Sequence, residues 1–188
     1  MRDSVLIAFL AVVLCLSVGC NRDRAAAPQQ TQCLCGVTNW FRVPAESSGF
    51  SAFMPTQPTR SVVTNETAAG PLVISILTSE ISQSVAFSIV RNSFPTNIVL
   101  TNTVRLFAGG LKQALGADGR LTSERDVALS GYPGREWCFE KYRGQAIVTM
   151  RAYLVGHDLY QAICVMPKAR VCQRHVAEFL DSCELRSE

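Results

Sequence analysis

The sequence predicts an α+β domain, and three observations predict it. Apolar and polar residues alternate over several short runs, the period of half-buried strands, as in Val85, Phe87 and Ile89 against Ala86 and Ser88. From Val104 to Leu115 the apolar residues recur instead at three- and four-residue steps, the period of a helix lying on a core. A second helical stripe, within Lys168 to Cys183, follows the last alternating run. A chain of 188 residues has room for one domain with a real core plus a targeting segment, and no internal repeat divides it.

The elements follow in order. Residues 1–19 read as a signal peptide: Arg2 precedes an apolar run from Val5 to Gly19, which is short of the ~20 residues that a membrane span needs. Leu16-Ser17-Val18-Gly19-Cys20 resembles a bacterial lipobox, in which the final Cys is fatty-acylated after cleavage, although Ser17 stands where Leu is usual. Cys20 is therefore the expected lipidation site and membrane anchor, and residues 20–39, polar and rich in Ala, Pro and Gln, are the expected tether. This organisation implies an envelope lipoprotein facing the periplasm, on the inner or the outer membrane. Asn21 after the Cys favours the outer membrane by the enterobacterial sorting pattern.

Residues 40–188 form the expected single domain. Phe50 to Met54 is a strand stopped by Pro55 and Pro58, Leu72 to Leu77 a second opened by the Gly70-Pro71 turn, and Ser84 to Val90 a third. In the helix that follows, Val104, Phe107, Ala108, Leu111 and Leu115 form one apolar stripe, with Gly116 as its C-cap. Gly109-Gly110 inside it cost roughly 1 kcal/mol each relative to Ala, which close packing on a sheet would explain. Leu121 to Ser130 is a strand, and Pro133-Gly134 reads as the turn into the next. There Trp137 and Phe139 face inward and Glu136, Cys138 and Glu140 face away. In Ala146 to Val155 the residues Val148, Met150, Ala152 and Leu154 share a face, and Gly156-His157-Asp158 turns the chain into Leu159 to Met166.

Chemistry is harder to find. The 18 basic and 15 acidic residues are dispersed, which removes the electrostatic footprint of a nucleic-acid binder. The sequence lacks the nucleophile elbow, phosphate-loop, dinucleotide and zinc-protease patterns, so no catalytic residue, cofactor or cofactor-binding residue is assigned. Arg135 and Glu136, at neighbouring strand positions, point to opposite faces and do not make one site. His157 beside Asp158 in a turn is an acid/base candidate against the commoner solvated pair. Once Cys15 leaves with the signal and Cys20 takes the lipid, six cysteines remain. An oxidising compartment favours disulfides among them, with Cys33, Cys35, Cys138 and Cys164 the candidates and the pairing open. Cys172 and Cys183, about 16 Å apart on one continuous helix, cannot bridge each other. Cys33, Cys35, Cys172 and His175 lack metal-ligand spacing, so no metal is assigned.

The motif order carries a resemblance. Gly49-Phe50-Ser51-Ala52-Phe53-Met54-Pro55 with Pro58, then Gly131-Tyr132-Pro133-Gly134-Arg135-Glu136, Leu159-Tyr160 and Phe179-Leu180-Asp181-Ser182-Cys183 resemble PsbP/Mog1-like domains, including DcrB-type envelope lipoproteins. Cys183, where Phe is common, and the extra cysteines depart from that pattern. The resemblance implies an antiparallel β-sheet flanked by helices, an αβα sandwich, with no catalytic machinery to carry over and accessory or binding roles. Two functions are thus expected from different classes. The first is a lipid-anchored, non-catalytic envelope protein that docks a partner protein or ligand. The second is an envelope enzyme or thiol/metal protein assembled from dispersed residues such as His157, Arg135 and the cysteines.

Overall fold

The structure, a computed structural model, describes residues 39–45, 49–100 and 102–185. The expected signal segment, Cys20, Cys33, Cys35 and nearly all of the tether lie outside those residues. In chain order the strands are β1 (Phe41–Val43), β2 (Phe50–Met54), β3 (Thr59–Thr67), β4 (Gly70–Ser82) and β5 (Val85–Ser93). Helix α1 (Thr103–Leu115) precedes β6 (Arg120–Leu129), β7 (Tyr132–Lys141), β8 (Ala146–Val155) and β9 (Asp158–Pro167). A short 3-10 turn, Lys168–Arg170, leads to α2 (Gln173–Asp181) and β10 (Glu184–Leu185).

Seven strands form one antiparallel sheet in the order β3-β4-β5-β9-β8-β7-β6, and β1-β2-β10 form a small second sheet. The period of two divides the core. On one face Leu72, Ile74, Val90, Trp137, Met150 and Ile163 pack with Phe107 and Ala114 of α1. On the other, Phe87, Ile89, Tyr153, Ala162 and Cys164 pack with Phe50 and Met54 of the small sheet and with Val176, Phe179 and Leu180 of α2. The described residues are thus mostly antiparallel sheet with a single helix on each face. The fold is more sheet-rich than the αβα sandwich expected, because β2 and its partners share the second face with α2.

Several expected boundaries move for identifiable reasons. All six residues Val85–Val90 are buried, so Ala86 and Ser88 do not face water. β5 is the third of seven strands and is covered on both faces, and the Ser88 hydroxyl is satisfied by Thr78 at 3.1 Å. The turn of the SGYPGREWCFE stretch falls on Ser130-Gly131 (φ 51° and 83°) rather than Pro133-Gly134. Leu129 pairs with Tyr132 across it, a two-residue hairpin whose central residues both need positive φ. Gly134 is instead a buried strand residue opposite Val127, and a Cβ there would run into the Tyr153 ring and the Ala152 carbonyl oxygen. The terminal helix is shorter than expected: Cys172 is its N-cap residue and Cys183 follows its C-cap, Ser182.

Three of the four motifs behind the resemblance meet in space. Phe50 stacks on Tyr160 with ring centroids 5.5 Å apart. Gly49 holds φ +73°, where a Cβ would lie 2.6 Å from the Tyr160 hydroxyl oxygen. Phe179 joins the same core, edge-on to Phe87 at 5.4 Å. These short motifs therefore encode packing of the small sheet and α2 onto the large sheet.

Candidate functional site

Helix α1 is fixed at both ends. Asn102 caps it by accepting from the Arg105 N–H at 2.9 Å, and Gly116 (φ 58°) ends it by donating its N–H to the Lys112 carbonyl. The buried Lys141 ammonium reaches the Leu115 carbonyl at 2.9 Å and Asp118 at 3.1 Å, placing a cation at the helix C-terminus and tying it to β7. Phe107 meets Trp137 edge-to-face at 5.9 Å, and Gly110 and Ala114 are buried on the same side, so Gly110 sits where small volume lets the helix approach.

The sheet covers only one flank of the apolar stripe. Phe107 is buried, Leu111 and Leu115 are half-buried, and Ala108 and Val104 are exposed, Val104 at 68%. Those five residues, the stripe read from the sequence, form the apolar wall of a cleft of about 360 Å³ between α1 and the β6–β7 edge. Its rim is charged: Lys112 on the helix, Glu124 on β6 and Arg135 on β7. Arg135 bonds Glu124 at 3.3 Å and Asp126 at 3.0 Å, and Glu124 also accepts from the buried Trp137 indole N–H at 3.1 Å. The cleft thus offers a hydrophobic wall beside charges already held in place, an arrangement suited to binding an amphipathic group.

The opposite face of the same strands carries a different cluster. Glu136 accepts from Arg125 at 2.7 Å and from Arg151 at 2.6 Å, and Arg151 continues to Asp181 and to the Leu180 carbonyl at the end of α2. Burial works to raise the Glu136 carboxyl, but hydrogen bonds from Arg125 and Arg151, with their charges, outweigh it and hold it below the ordinary glutamate range. Burial likewise opposes the Arg151 charge and is overcome by Glu136 and Asp181, so its pKa is raised. Every charge in this group is paired, and the group clamps α2 to the sheet.

The dispersed residues of the enzyme expectation do not converge. Arg135 lies on the cleft face and Glu136 and Cys138 on the other, as strand alternation requires. His157 is exposed in the β8–β9 turn, past the end of β8, and that end at Val155 already lies three strand positions, roughly 10 Å, from Ala152, the partner of Arg135. Its neighbour Asp158 is engaged by Arg91 at 2.7 Å. Cys138 pairs across the sheet with Thr149, and Thr149 with Cys164, so two strand spacings, about 9.6 Å, separate the two cysteines and rule out a bridge between them. Cys138, Cys164, Cys172 and Cys183 form no disulfide with one another, so a bridge from Cys138 or Cys164 would have to reach Cys33 or Cys35, which lie outside the described residues. Burial pushes the Cys164 thiol well up and Cys183 up to about 12, so neither is a nucleophile near neutral pH. His175 is buried edge-on to Trp40 at 5.8 Å, and among the described residues no three metal-ligating side chains converge.

No protein-family model matches the sequence, and neither does any protein of curated function. Among solved structures, the chain is similar to the cyanobacterial PsbP protein CyanoP from Synechocystis sp. PCC 6803. The TM-score is 0.55 at 11% identity, over 85% of this chain and 100% of that one. Fainter likenesses are to the protein PA94 of Pseudomonas aeruginosa (TM-score 0.41, 11% identity, 62% and 90% coverage) and to a Bacteroides thetaiotaomicron VPI-5482 protein (0.40, 12%, 79% and 48%). At such identities a likeness speaks for the fold alone: the chain has a PsbP-like fold.

Proposed function

We propose that the chain is a lipid-anchored protein of a bacterial cell envelope, held on a membrane through Cys20 and facing the periplasm, with a non-catalytic accessory role. It docks an envelope protein partner through the cleft beside α1. The observation that carries this reading is the uncovered flank of the apolar stripe: Val104, Ala108, Leu111 and Leu115 line a concave wall instead of being sealed by the sheet. Water-facing apolar surface of that shape is favourable only when something covers it. The lipobox-like sequence ahead of a polar tether supports the anchored placement. Among the described residues no helix is long and apolar enough to span a membrane, so the anchor of this reading is the lipid alone.

Two experiments test it. A clickable fatty acid should label the wild-type chain in cells and not the Cys20→Ala variant; equal label in both removes the anchor. A photo-crosslinking amino acid placed at Val104 or Ala108 should capture an envelope protein, whereas one at Arg143, on the exposed β7–β8 turn, should not. Capture from Arg143 alone would move the docking surface away from the cleft.

A further inference from the structure

We infer that the free edge of β3 pairs antiparallel with β3 of a second copy of the chain, about a two-fold axis through Val63, joining two seven-stranded sheets into one. β3 is the terminal strand of the large sheet: it pairs with β4 on one side and with nothing on the other among the described residues. Its nine residues pair with β4 without a bulge, and the six from Thr59 to Thr64 are all exposed. Val62 and Val63 are among the large apolar residues left in solvent, at 52% and 38%. Such an edge presents alternate backbone N–H and C=O groups ready to extend the sheet.

The occupant is identified by the sequence of the strand. Only registers in which outward-pointing residues meet outward-pointing residues can hydrogen-bond, so a two-fold pairing must centre on a residue. Centred on Val63, the strand TRSVVTNET aligns with itself over its full length: Thr59 meets Thr67, Arg60 meets Glu66, Ser61 meets Asn65 and Val62 meets Thr64. Arg60 and Glu66 are the only charges on β3, they lie on the same face, and neither has an ion-pair partner among the described residues. Each would meet its opposite in the second copy, twice per dimer. Centring on Val62 or Thr64 instead loses that match. The other sheet edge, β6, offers no comparable strand: it is bulged between Leu121 and Ser123 and carries four charges, Arg120, Glu124, Arg125 and Asp126, all spent on β7.

Sedimentation equilibrium of the full chain in a neutral detergent, over about 1–200 micromolar, should show a monomer–dimer equilibrium. Arg60→Glu and Glu66→Arg each set like charges against each other and should weaken the dimer about tenfold. Mixing the two variants should restore association, because the heterodimer regains both opposite-charge contacts. A monomeric wild type, single variants that associate unchanged, or a mixture no tighter than its components each overturn the proposal. Val63→Cys gives a check independent of charge. The two-fold sets the paired Cα atoms about 4.5–5.5 Å apart, so oxidation should yield a 63-to-63 disulfide by peptide mapping, and its absence counts equally against the pairing.

Discussion

The two edges of the large sheet are built on opposite principles. β6 is bound to β7 through side chains as well as backbone: Arg120 to Glu140, Arg125 to Glu136, Asp126 and Glu124 to Arg135, and the Trp137 indole to Glu124. Its bulge at Leu121/Ser123 breaks the outer rail, and the hydroxyl of Thr122, inside the bulge, donates to the Cys138 carbonyl at 2.8 Å. β3 has neither bulge nor ion pair to β4, and two of its central residues are exposed valines. An edge with charges and a bulge resists further strands, whereas a regular edge with few charges accepts them. The difference assigns roles: the β6 side supports the cleft, and the β3 side is left to pair.

Substitutions should separate the two sides by size of effect. The largest falls on β7, the strand that carries β6, where it lies against β8. Gly134→Val drives a side chain into Tyr153 and the Ala152 carbonyl, and should cost about 3 kcal/mol in urea-unfolding free energy; a loss below about 0.5 would show that the strands shift freely. Next comes the Glu136 clamp. Glu136→Ala leaves the half-buried Arg151 one partner short and should cost about 2 kcal/mol, whereas Arg125→Ala, losing a largely exposed partner, should cost at most about 1. Equal costs would dissolve the distinction between the inner and outer arginines. The pH dependence follows in sign. Because the folded Glu136 carboxyl titrates below its unfolded value near 4.3, its stabilisation is complete above that value and is lost as pH falls through the lowered one. The urea midpoint of the wild type should therefore fall on acidification below about pH 5, and that of Glu136→Gln should fall less. Glu124→Ala, which strands the buried Trp137 N–H and leaves Arg135 in the cleft rim with Asp126 alone, should cost about 1–2 kcal/mol.

Where the sequence was legible, a clean period reported a clean environment. β8 runs from Ala146 to Val155, as expected, because Val148, Met150, Ala152 and Leu154 meet one core; on the opposite face Thr149 and Arg151 are only partly buried, whereas Tyr153 is sealed in the second core. Helix α1 and its Gly116 cap were equally plain, but which residues it buries was not. The stripe shows apolarity, and only the position of the sheet decides that Phe107 is sealed while Val104 stays in water. β3 was invisible for a related reason. A strand exposed on both faces has no period to show, and its β-branched Val62-Val63-Thr64 between Pro58 and Gly70 was the only local sign. The turn at Ser130-Gly131 was hidden by the stronger Pro-Gly signal beside it, since nothing local reveals that Gly134 is needed for the passage of Tyr153. The cleft was half legible: its wall is the stripe, but Lys112, Glu124 and Arg135 come together only through the α1–β7 packing and the β6–β7 register.

The smallest effect expected is on β3, and its smallness is what makes it informative. Val62 and Thr64 are exposed on a strand whose single neighbour among the described residues is β4, so Val62→Lys or Thr64→Lys removes little buried area and should change monomer stability by no more than about 0.5 kcal/mol. Valines retained at no benefit to the monomer are not explained by folding. If instead Val62→Lys costs 2 kcal/mol or more at concentrations where only monomer is present, β3 is part of the core and the contrast between the edges fails. If the cost appears only at concentrations where copies associate, the same substitution measures the pairing itself, because a lysine opposite Thr64 of the second copy replaces an apolar contact with a charge that has no partner.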